Sequence, residues 1–239
     1  MVDAPPKTLS VMVPALNEAA SLQATIDTIR GATAGRVVDY EVLIYDDGST
    51  DATGAIADDL ARSDPRISVV HHPSPRGLGY CYRAGIARAR CEHYIFVPGD
   101  NELPREAFER LLDHVGEADI VVHYVTNMEI RSLPRRVLSH SFTALVNTLF
   151  GLHLRYFNGA VIHRTKLVRQ VAQKTNGFAY QAEILVRLLK SGATYVEVGC
   201  EMVGRGAGST SAFKTKNVVS VVSTLGTLFW EVRLGRSGR

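Results

Sequence analysis

Two short acidic segments contain the side chains best suited to chemistry. Residues 46–51 read DDGSTD, and residues 98–102 read PGDNE. A carboxylate in the first segment could accept a hydrogen bond from the ring or amino N–H of a nucleotide base. Asp100 and Glu102 offer the hard oxygen ligands that Mg²⁺ or Mn²⁺ prefers when a diphosphate supplies the remaining oxygens. Read alone, each segment also fits a solvated acidic turn.

A third segment has the composition of a phosphate-binding turn. Residues 76–79 read RGLG and open a predicted helix. Glycines at this place let the backbone come close to a phosphate group at the helix N-terminus. The same four residues also fit an ordinary turn, so the segment indicates a phosphate site only in combination with the other motifs.

All three segments adjoin predicted strands. Over residues 1–130, β-branched runs alternate with amphipathic stretches, which predicts βαβ units and a mainly parallel sheet with flanking helices. Ligands of such sheets bind at the carboxyl ends of the strands, where the polar residues of this chain cluster. The predicted strands are 9–14, 41–46, 67–71, 94–97 and 119–123, and the predicted helices are 17–30, 50–62, 78–90 and 104–115.

The second half of the chain has a different character. Amphipathic helices are predicted at 135–151, 180–190 and 214–234, with a strand at 194–198 and a Gly/Ser-rich loop at 204–211. No internal repeat and no Pro- or Ser-rich linker divides the 239 residues. The prediction is therefore a single α/β domain over residues 1–239.

The order of the motifs resembles family 2 glycosyltransferases of the Rossmann-like GT-A fold. Within that family it is most similar to dolichol-phosphate mannose synthases and bacterial polyprenyl-phosphate glycosyltransferases. The resemblance implies a nucleotide-sugar-dependent hexosyltransferase, with donor and metal held by residues 1–130 and the acceptor by 131–239. The segments that carry it are PALNEA (14–19), YDDGSTD (45–51), PRGLG (75–79), GDNE (99–102), FNGAVIHR (157–164), FAYQAEILVRLLKSGATYVEV (178–198) and RGAGSTS (205–211).

The same resemblance implies roles for individual residues. Asp100 and Glu102 would hold Mg²⁺ or Mn²⁺, and Glu183 would lie near the sugar or acceptor. Arg205 and Ser209 would close a lid over the diphosphate, so the implied catalytic residues are Asp100, Glu183 and Arg205. The implied donor site comprises Pro14, Leu16, Glu18, Asp46, Asp47, Arg76, Gly77 and Asp100. The implied contacts of an acceptor phosphate are Arg131, Arg135, Arg136, Ser139 and Ser209.

Two motifs depart from the family pattern. Leu16 stands where the family's PxYNE motif has an aromatic residue, which removes stacking on the base. The family's DAD-G-Q box aligns with residues 98–102 so that Pro98 replaces the first Asp and Glu102 the Gln. A register shifted along the loop pairs Asp100 and Glu102 with the two Asp residues, so both stay metal candidates.

The charge distribution favours a phosphate acceptor. The net charge of +3 combines 20 Asp/Glu against 11 Lys/Arg in residues 1–130, ten Lys/Arg against one carboxylate, Glu183, in residues 131–190, and six Lys/Arg against three Glu in residues 191–239. A hydroxyl acceptor needs a base, whereas a phosphate is already ionised and needs cations to position it. The prediction is inverting transfer from a GDP- or UDP-sugar to a polyprenyl-phosphate-type lipid.

Other interpretations stay open. The acceptor could be a hydroxyl group with Glu183 as its base, the chain could be a non-catalytic nucleotide-binding subunit, and the basic half could be a solvated face. Nucleic acid is not an expected partner, because the aromatic residues of the basic half are not interleaved with cations.

Membrane association would be peripheral. No run approaches the roughly 20 apolar residues of a transmembrane helix, and residues 1–7 show no signal-peptide pattern. Helices 135–151 and 214–234 have apolar faces flanked by Lys and Arg, which fit either a membrane interface or packing on the sheet. The three cysteines have no metal-ligand spacing and indicate a reducing, cytoplasmic location. The oligomeric state is not predicted.

Overall fold

A mixed sheet of seven strands forms the centre of the molecule. The computed structural model describes residues 7–177, 179–202 and 215–234. The strands are β1 (Thr8–Ala15), β2 (Asp39–Asp46), β3 (Ile67–His71), β4 (His93–Phe96), β5 (Ile120–Val125), β6 (Val161–Arg164) and β7 (Tyr195–Cys200). Their order across the sheet is β3-β2-β1-β4-β6-β5-β7.

In the described ranges, eight α-helices connect and cover these strands. A 3₁₀ turn at Met128–Ile130 precedes α5, and a π-helical turn at Trp230–Leu234 follows α8. The predicted helices 17–30 and 50–62 begin later, at Leu22 and Thr53, because the residues before them form hydrogen-bonded loops. The helices are α1 (Leu22–Thr33), α2 (Thr53–Ser63), α3 (Leu78–Arg88), α4 (Arg105–Asp113), α5 (Leu133–Phe150), α6 (Thr165–Arg169), α7 (Tyr180–Lys190) and α8 (Thr215–Phe229).

The sheet separates two hydrophobic cores. Successive side chains of a strand point to opposite faces, and in β1 the side chains of Val11 and Val13 enter one core while Met12 enters the other. Helices α1, α2 and α4 cover the first face, and α3, α5, α7 and α8 contribute to the core on the second. The predicted α/β architecture of a largely parallel sheet between helical layers is confirmed.

Strand β6 was not predicted. It lies between β4 and β5 and runs antiparallel to both, so β4 and β5 are not neighbours although they follow each other among the predicted strands. Four residues of sequence VIHR are too few to show a periodicity. Only the pairing with two longer strands makes this segment a strand.

Helices α5 and α8 differ in how they use their apolar residues. In α5, Val146 and Phe150 are fully buried, whereas Leu138 and Leu145 are 39% and 46% exposed. In α8, Leu225 and Leu228 are buried in the second core, so its described apolar face packs inside the protein. None of the helices in the described ranges has both the length and the apolar character needed to cross a membrane.

Candidate active site

The carboxyl ends of β1, β2 and β4 meet at one edge of the sheet, which we call the donor edge because the residues predicted to bind the donor lie there. Ala15 pairs with Asp46 at the ends of β1 and β2. Past the strand ends, the Asp47 amide donates to the Ala15 carbonyl at 2.8 Å and the Gly99 amide donates to the Pro14 carbonyl at 3.2 Å. The predicted base-contacting and metal-binding segments therefore lie on either side of the predicted Pro14 segment.

Asn17 ties the loop after β1 to the loop after β2. Its side-chain oxygen accepts the Thr50 amide at 2.9 Å, and its own amide donates to the Ser49 hydroxyl at 3.0 Å. Its φ of 57° is in the left-handed region, which Asn tolerates better than most residues. The sequence placed Asn17 among the polar residues that follow a predicted strand, but it did not predict this tie between the two loops. The preceding Leu16 is 43% exposed at this edge.

Asp47 is a buried carboxylate that shapes the glycine segment. Its Oδ1 accepts the amide of Arg76 at 2.8 Å and lies 2.7 Å from His72 Nδ1, while its Oδ2 accepts the amide of Gly77 at 2.9 Å. Gly77 has a φ of +92°, which a side chain would strain. The backbone of the RGLG segment is therefore fixed before any ligand binds. Arg76 is exposed, with its guanidinium 4.4 Å from the Tyr80 ring centroid.

Asp46 and His71 form a hydrogen-bonded pair that the sequence did not predict. Asp46 accepts the Ser49 amide at 3.0 Å and lies 2.9 Å from His71 Nδ1. Burial raises the pKa of Asp46, but the hydrogen bonds from Ser49 and His71 outweigh burial and leave that pKa below its usual value. The hydrogen bonds from His71 to Asp46 and then to Asp58 raise the pKa of His71. The pair anchors the first residue of the DDGSTD segment.

Glu18 lies beside the loop that carries Asp100. The Ser21 hydroxyl is 2.9 Å from Glu18 Oε2 and also 2.9 Å from the Gly99 carbonyl oxygen. The amide of Glu102 donates to Asp100 Oδ1 at 3.1 Å, which turns the loop tightly around Asn101, whose φ is 56°. Three of the predicted site residues, Glu18, Asp100 and Glu102, are thus brought to the same part of the donor edge.

The chemistry of Asp100 and Glu102 fits a hard divalent cation. Both are half-buried carboxylates on one short loop, and oxygen ligands suit Mg²⁺ or Mn²⁺. Among the described residues, the group with ligand atoms within 4.8 Å of one another is Asp47, His72 and Cys81. That group offers a thiol whose pKa burial and Asp47 raise to about 12, so it is a poor match for Mg²⁺.

Three arginines gather where α5 begins. The Arg131 guanidinium donates to the Tyr156 hydroxyl at 2.6 Å, and Arg135 and Arg136 are half-buried in the first turns of the helix. Burial and then the charge of Arg131 lower the pKa of Arg135, while Tyr156 and the charge of Asp100 act in the opposite direction. Of the three arginines, Arg135 is therefore the one on which the charge of Asp100 acts.

These arginines differ from most other cations of the basic half. Arg155, Arg164, Lys174 and Arg187 each pair with a carboxylate. Within the described ranges, Arg131, Arg135 and Arg136 have no carboxylate at ion-pair distance. One turn further along, the Ser139 hydroxyl is buried and lacks a hydrogen-bond partner in the described part of the chain, as does Arg136 Nε. The start of α5 can therefore accept an anion.

Glu183 occupies a different place from the arginine cluster. It is 2% exposed, and its carboxylate accepts hydrogen bonds from the amides of Lys174 and Thr175 and from the Arg187 side chain. Across the described ranges, none of its hydrogen bonds or ion pairs involves another predicted site residue. Arg205 and Ser209 lie outside the described residues.

Comparison with solved structures places this fold among the GT-A glycosyltransferases. Glucosyl-3-phosphoglycerate synthase from Mycobacterium tuberculosis, in complex with Mn²⁺, UDP-glucose and phosphoglyceric acid, aligns with a TM-score of 0.66 and 19% identity. The alignment covers 92% of this chain and 80% of that chain. The same enzyme with UDP alone aligns with a TM-score of 0.67 and 21% identity, over 93% of this chain and 80% of that one.

Sequence comparison defines the family. Residues 10–172 match glycosyl transferase family 2. Polyprenol monophosphomannose synthase of Mycolicibacterium smegmatis is 30% identical over 201 residues, 79% of this chain and 74% of the relative. Undecaprenyl-phosphate mannosyltransferase of Micrococcus luteus is 29% identical over 210 residues, 83% of this chain and 85% of the relative. The chain belongs to glycosyl transferase family 2 and is a glycosyltransferase, as its motifs predicted.

Proposed function

We propose that this glycosyltransferase moves a sugar from a GDP- or UDP-sugar to the phosphate of a polyprenyl-type lipid, with inversion at the anomeric carbon. The observation that carries the proposal is the group Arg131, Arg135 and Arg136, which has no carboxylate partner within the described ranges, together with the effect of the Asp100 charge on Arg135. The ten cations against one carboxylate in residues 131–190 also support an anionic acceptor.

The donor would bind across the donor edge. Asp47 presets the backbone of residues 76–77, and the nucleotide would lie against this segment and the exposed Leu16. Asp100 and Glu102 would hold Mg²⁺ or Mn²⁺, which when bound neutralises charge on the leaving diphosphate. The complexes of the M. tuberculosis neighbour with UDP and either Mn²⁺ or Mg²⁺ support this arrangement.

The acceptor phosphate would bind at the start of α5. Arginine guanidinium groups bind phosphate oxygens through paired N–H donors, and a helix N-terminus adds a favourable dipole. A phosphate oxygen held there attacks the anomeric carbon, and the nucleoside diphosphate leaves from the opposite face, which inverts the configuration. No proton has to be removed, because a phosphate monoester is ionised at neutral pH.

The surroundings of Glu183 argue against a hydroxyl acceptor with that residue as base. Its two oxygens together accept hydrogen bonds from two backbone amides and from Arg187, and it is 2% exposed. A general base must reach the proton that it removes. The oxygens of this carboxylate already accept these hydrogen bonds, and a substrate hydroxyl could replace a donor only if the loop at 174–175 or Arg187 moved.

Exposed apolar side chains near the arginines fit a lipid. Ile130, Leu133, Val137 and Leu138 are between 39% and 67% exposed, and α5 contains no Asp or Glu. Apolar residues beside cations are typical of helices that lie at a membrane surface. Both named relatives act on polyprenol or undecaprenyl phosphate by their names. We therefore place the enzyme at a membrane surface, bound peripherally, with its site facing the cytoplasm.

The proposal is tested with two acceptors that differ only in the phosphate. Purified enzyme is given radiolabelled GDP- and UDP-sugars with Mg²⁺ or Mn²⁺, and either undecaprenyl phosphate or undecaprenol. Transfer to the phosphate alone is expected, with the product's anomeric configuration opposite to that of the donor. Equal transfer to undecaprenol would favour the hydroxyl acceptor, and donor binding without transfer to either would favour a non-catalytic subunit.

A further inference from the structure

A short loop lies between the RGLG segment and helices α7 and α8. Residues 173–177, which we call the bridging loop, precede α7 in the chain and contact all three elements. The loop contains none of the residues implied in donor or acceptor binding. Its contacts nevertheless connect Glu183 to the donor edge.

The bridging loop touches the RGLG segment backbone to backbone. The Gly79 amide donates to the Asn176 carbonyl at 3.2 Å, and the Gln173 side-chain amide donates to the Gly79 carbonyl at 2.8 Å. A Cβ atom at Gly79 would lie 2.7 Å from the Thr175 carbonyl oxygen, so no side chain could separate the two segments. A movement of the loop would therefore act directly on Gly79.

Glu183 anchors the bridging loop through two backbone amides. Its carboxylate accepts the amide of Lys174 at 3.1 Å and that of Thr175 at 3.0 Å. Arg187 fixes the carboxylate, with Nη2 at 2.9 Å from Oε1. A buried carboxylate that accepts two backbone amides is a stiff anchor, because any rearrangement would leave polar groups unpaired.

Glu231 extends the connection to the end of α8. Its carboxylate lies 2.6 Å from Lys174 Nζ and 2.6 Å from Arg187 Nη2. The hydrogen bond from Lys174, and to a lesser extent that from Arg187, lowers the pKa of Glu231. Arg187 thus contacts the carboxylates of both Glu183 and Glu231. Glu183 accepts the backbone amide of Lys174, and Glu231 pairs with the ammonium group of the same residue.

We propose that Glu183 is a positioning residue for the donor nucleotide. Residues 76–79 are held on one side by Asp47 and on the other by the bridging loop, which Glu183 anchors. This role rests on the proposed nucleotide site at the donor edge. It places the effect of Glu183 in donor binding rather than in proton transfer.

The experiment measures nucleotide binding without turnover. GDP and UDP are titrated calorimetrically, with Mg²⁺, into the wild-type protein, Glu183→Gln and Glu41→Gln. Glu41 is a matched control, since it is 4% exposed and accepts the Arg90 amide and the Arg90 side chain. It lies near the start of β2, at the opposite end of that strand from Asp46. Thermal unfolding of the three proteins reports their stability.

We expect Glu183→Gln to weaken binding of the preferred nucleoside diphosphate by about tenfold, with Glu41→Gln within about twofold of wild type. In turnover, Glu183→Gln should raise the KM for the donor and leave kcat within about threefold, whereas loss of a general base would lower kcat by about a hundredfold or more. Unchanged nucleotide affinity in a folded Glu183→Gln protein overturns the positioning role.

A second variant covers the case in which Glu183→Gln does not fold. Glu231 is 29% exposed, so Glu231→Gln removes its charge with little effect on the core. We expect it to weaken nucleotide binding by about threefold, because it loosens Lys174 and Arg187 without removing the anchor. Affinity equal to wild type in this variant would also contradict the connection. A wild-type protein that binds neither nucleotide would overturn the proposed donor site itself.

Discussion

The donor edge and the start of α5 differ in how their polar groups are paired. At the donor edge, Asn17, Asp46 and Asp47 direct their side chains to backbone amides of neighbouring loops. At the start of α5, Arg135 and Arg136 have no carboxylate partner within the described ranges, and the Ser139 hydroxyl there lacks a hydrogen-bond partner. These three side chains of the donor edge are therefore already paired, whereas the start of α5 has buried hydrogen-bonding groups without a partner among the described residues.

The difference indicates two kinds of binding. A site whose backbone is already fixed loses little conformational entropy when a ligand binds. A cluster of cations without partners favours any anion of suitable shape, and gains its specificity from what lies beside it. In this protein an exposed apolar stripe on α5 lies beside the arginines. Four substitutions can break or sharpen this comparison.

The largest effect is expected on turnover, from a substitution of Asp100 at the donor edge. Asp100→Asn should lower turnover by about 10²–10³-fold while the thermal unfolding midpoint stays near that of wild type, because a carboxylate that would hold the cation is lost, and with it the charge that would neutralise the leaving diphosphate. Radiometric transfer assays across a range of Mg²⁺ and Mn²⁺ concentrations measure the change. Asp27→Asn, with a side chain 58% exposed on α1, is the control. Full activity of Asp100→Asn would remove this residue from the metal site.

The next effect tests the arginines of α5. Arg135→Ala should reduce kcat/KM for undecaprenyl phosphate by about ten- to a hundredfold, since a charge-assisted hydrogen bond to phosphate is lost. Steady-state kinetics with donor held saturating separates this effect from donor binding. Arg155→Ala is the matched control, because Arg155 is 63% exposed and pairs with Glu197. Similar losses in the two variants would mean that general positive charge, and not the α5 cluster, attracts the acceptor.

A smaller effect concerns the apolar stripe. Val137→Ser should weaken binding to vesicles of anionic phospholipid by about threefold, because one valine supplies only part of the apolar surface that α5 would bury in the membrane. Flotation or sedimentation with vesicles measures the bound fraction. Val38→Ser makes the same change at a valine that is 69% exposed, outside α5. If both variants bind vesicles as wild type does, α5 is not the membrane contact.

The smallest effect is on stability and involves His71. Its pKa in the folded protein is above its ordinary 6.5 because of Asp46 and Asp58. The stabilisation is therefore fully present below about pH 6.5 and is lost as pH rises through the higher pKa of the folded state. Since the side chain is 44% exposed, solvent screening limits the contribution to less than about 1 kcal/mol.

Chemical denaturation between pH 6 and 8 tests this sign. The free energy of unfolding of the wild type should fall relative to that of His71→Gln as the pH rises. His153→Gln, at an exposed loop histidine, should follow the wild type. A wild-type stability that rises across this range relative to His71→Gln would contradict the ion pair with Asp46.

Much of the fold was predictable because its signals are local. The apolar runs of β1 and β2 and the helical spacing in α1 and α4 depend on residues close in sequence. The four-residue β6 gave no such signal, since its strand character comes from pairing with β4 and β5. The described apolar face of α8 shows the same limit: its pattern fitted a membrane interface or a core equally, and the fold buries it.

For the site, residue types indicated chemistry but not pairing. The sequence by itself determined the family, the strand-end position of Asp47 and Asp100, and the excess of cations after residue 130. Only the tertiary structure decided which of those cations pair with carboxylates and which do not. It also surrounded Glu183 with the bridging loop, 8 and 9 positions earlier in the chain, and with Glu231, which it meets through Arg187. The reason is physical: a side chain's type fixes what it can bind, but its partners depend on which distant segments the packed sheet and helices bring within hydrogen-bond distance.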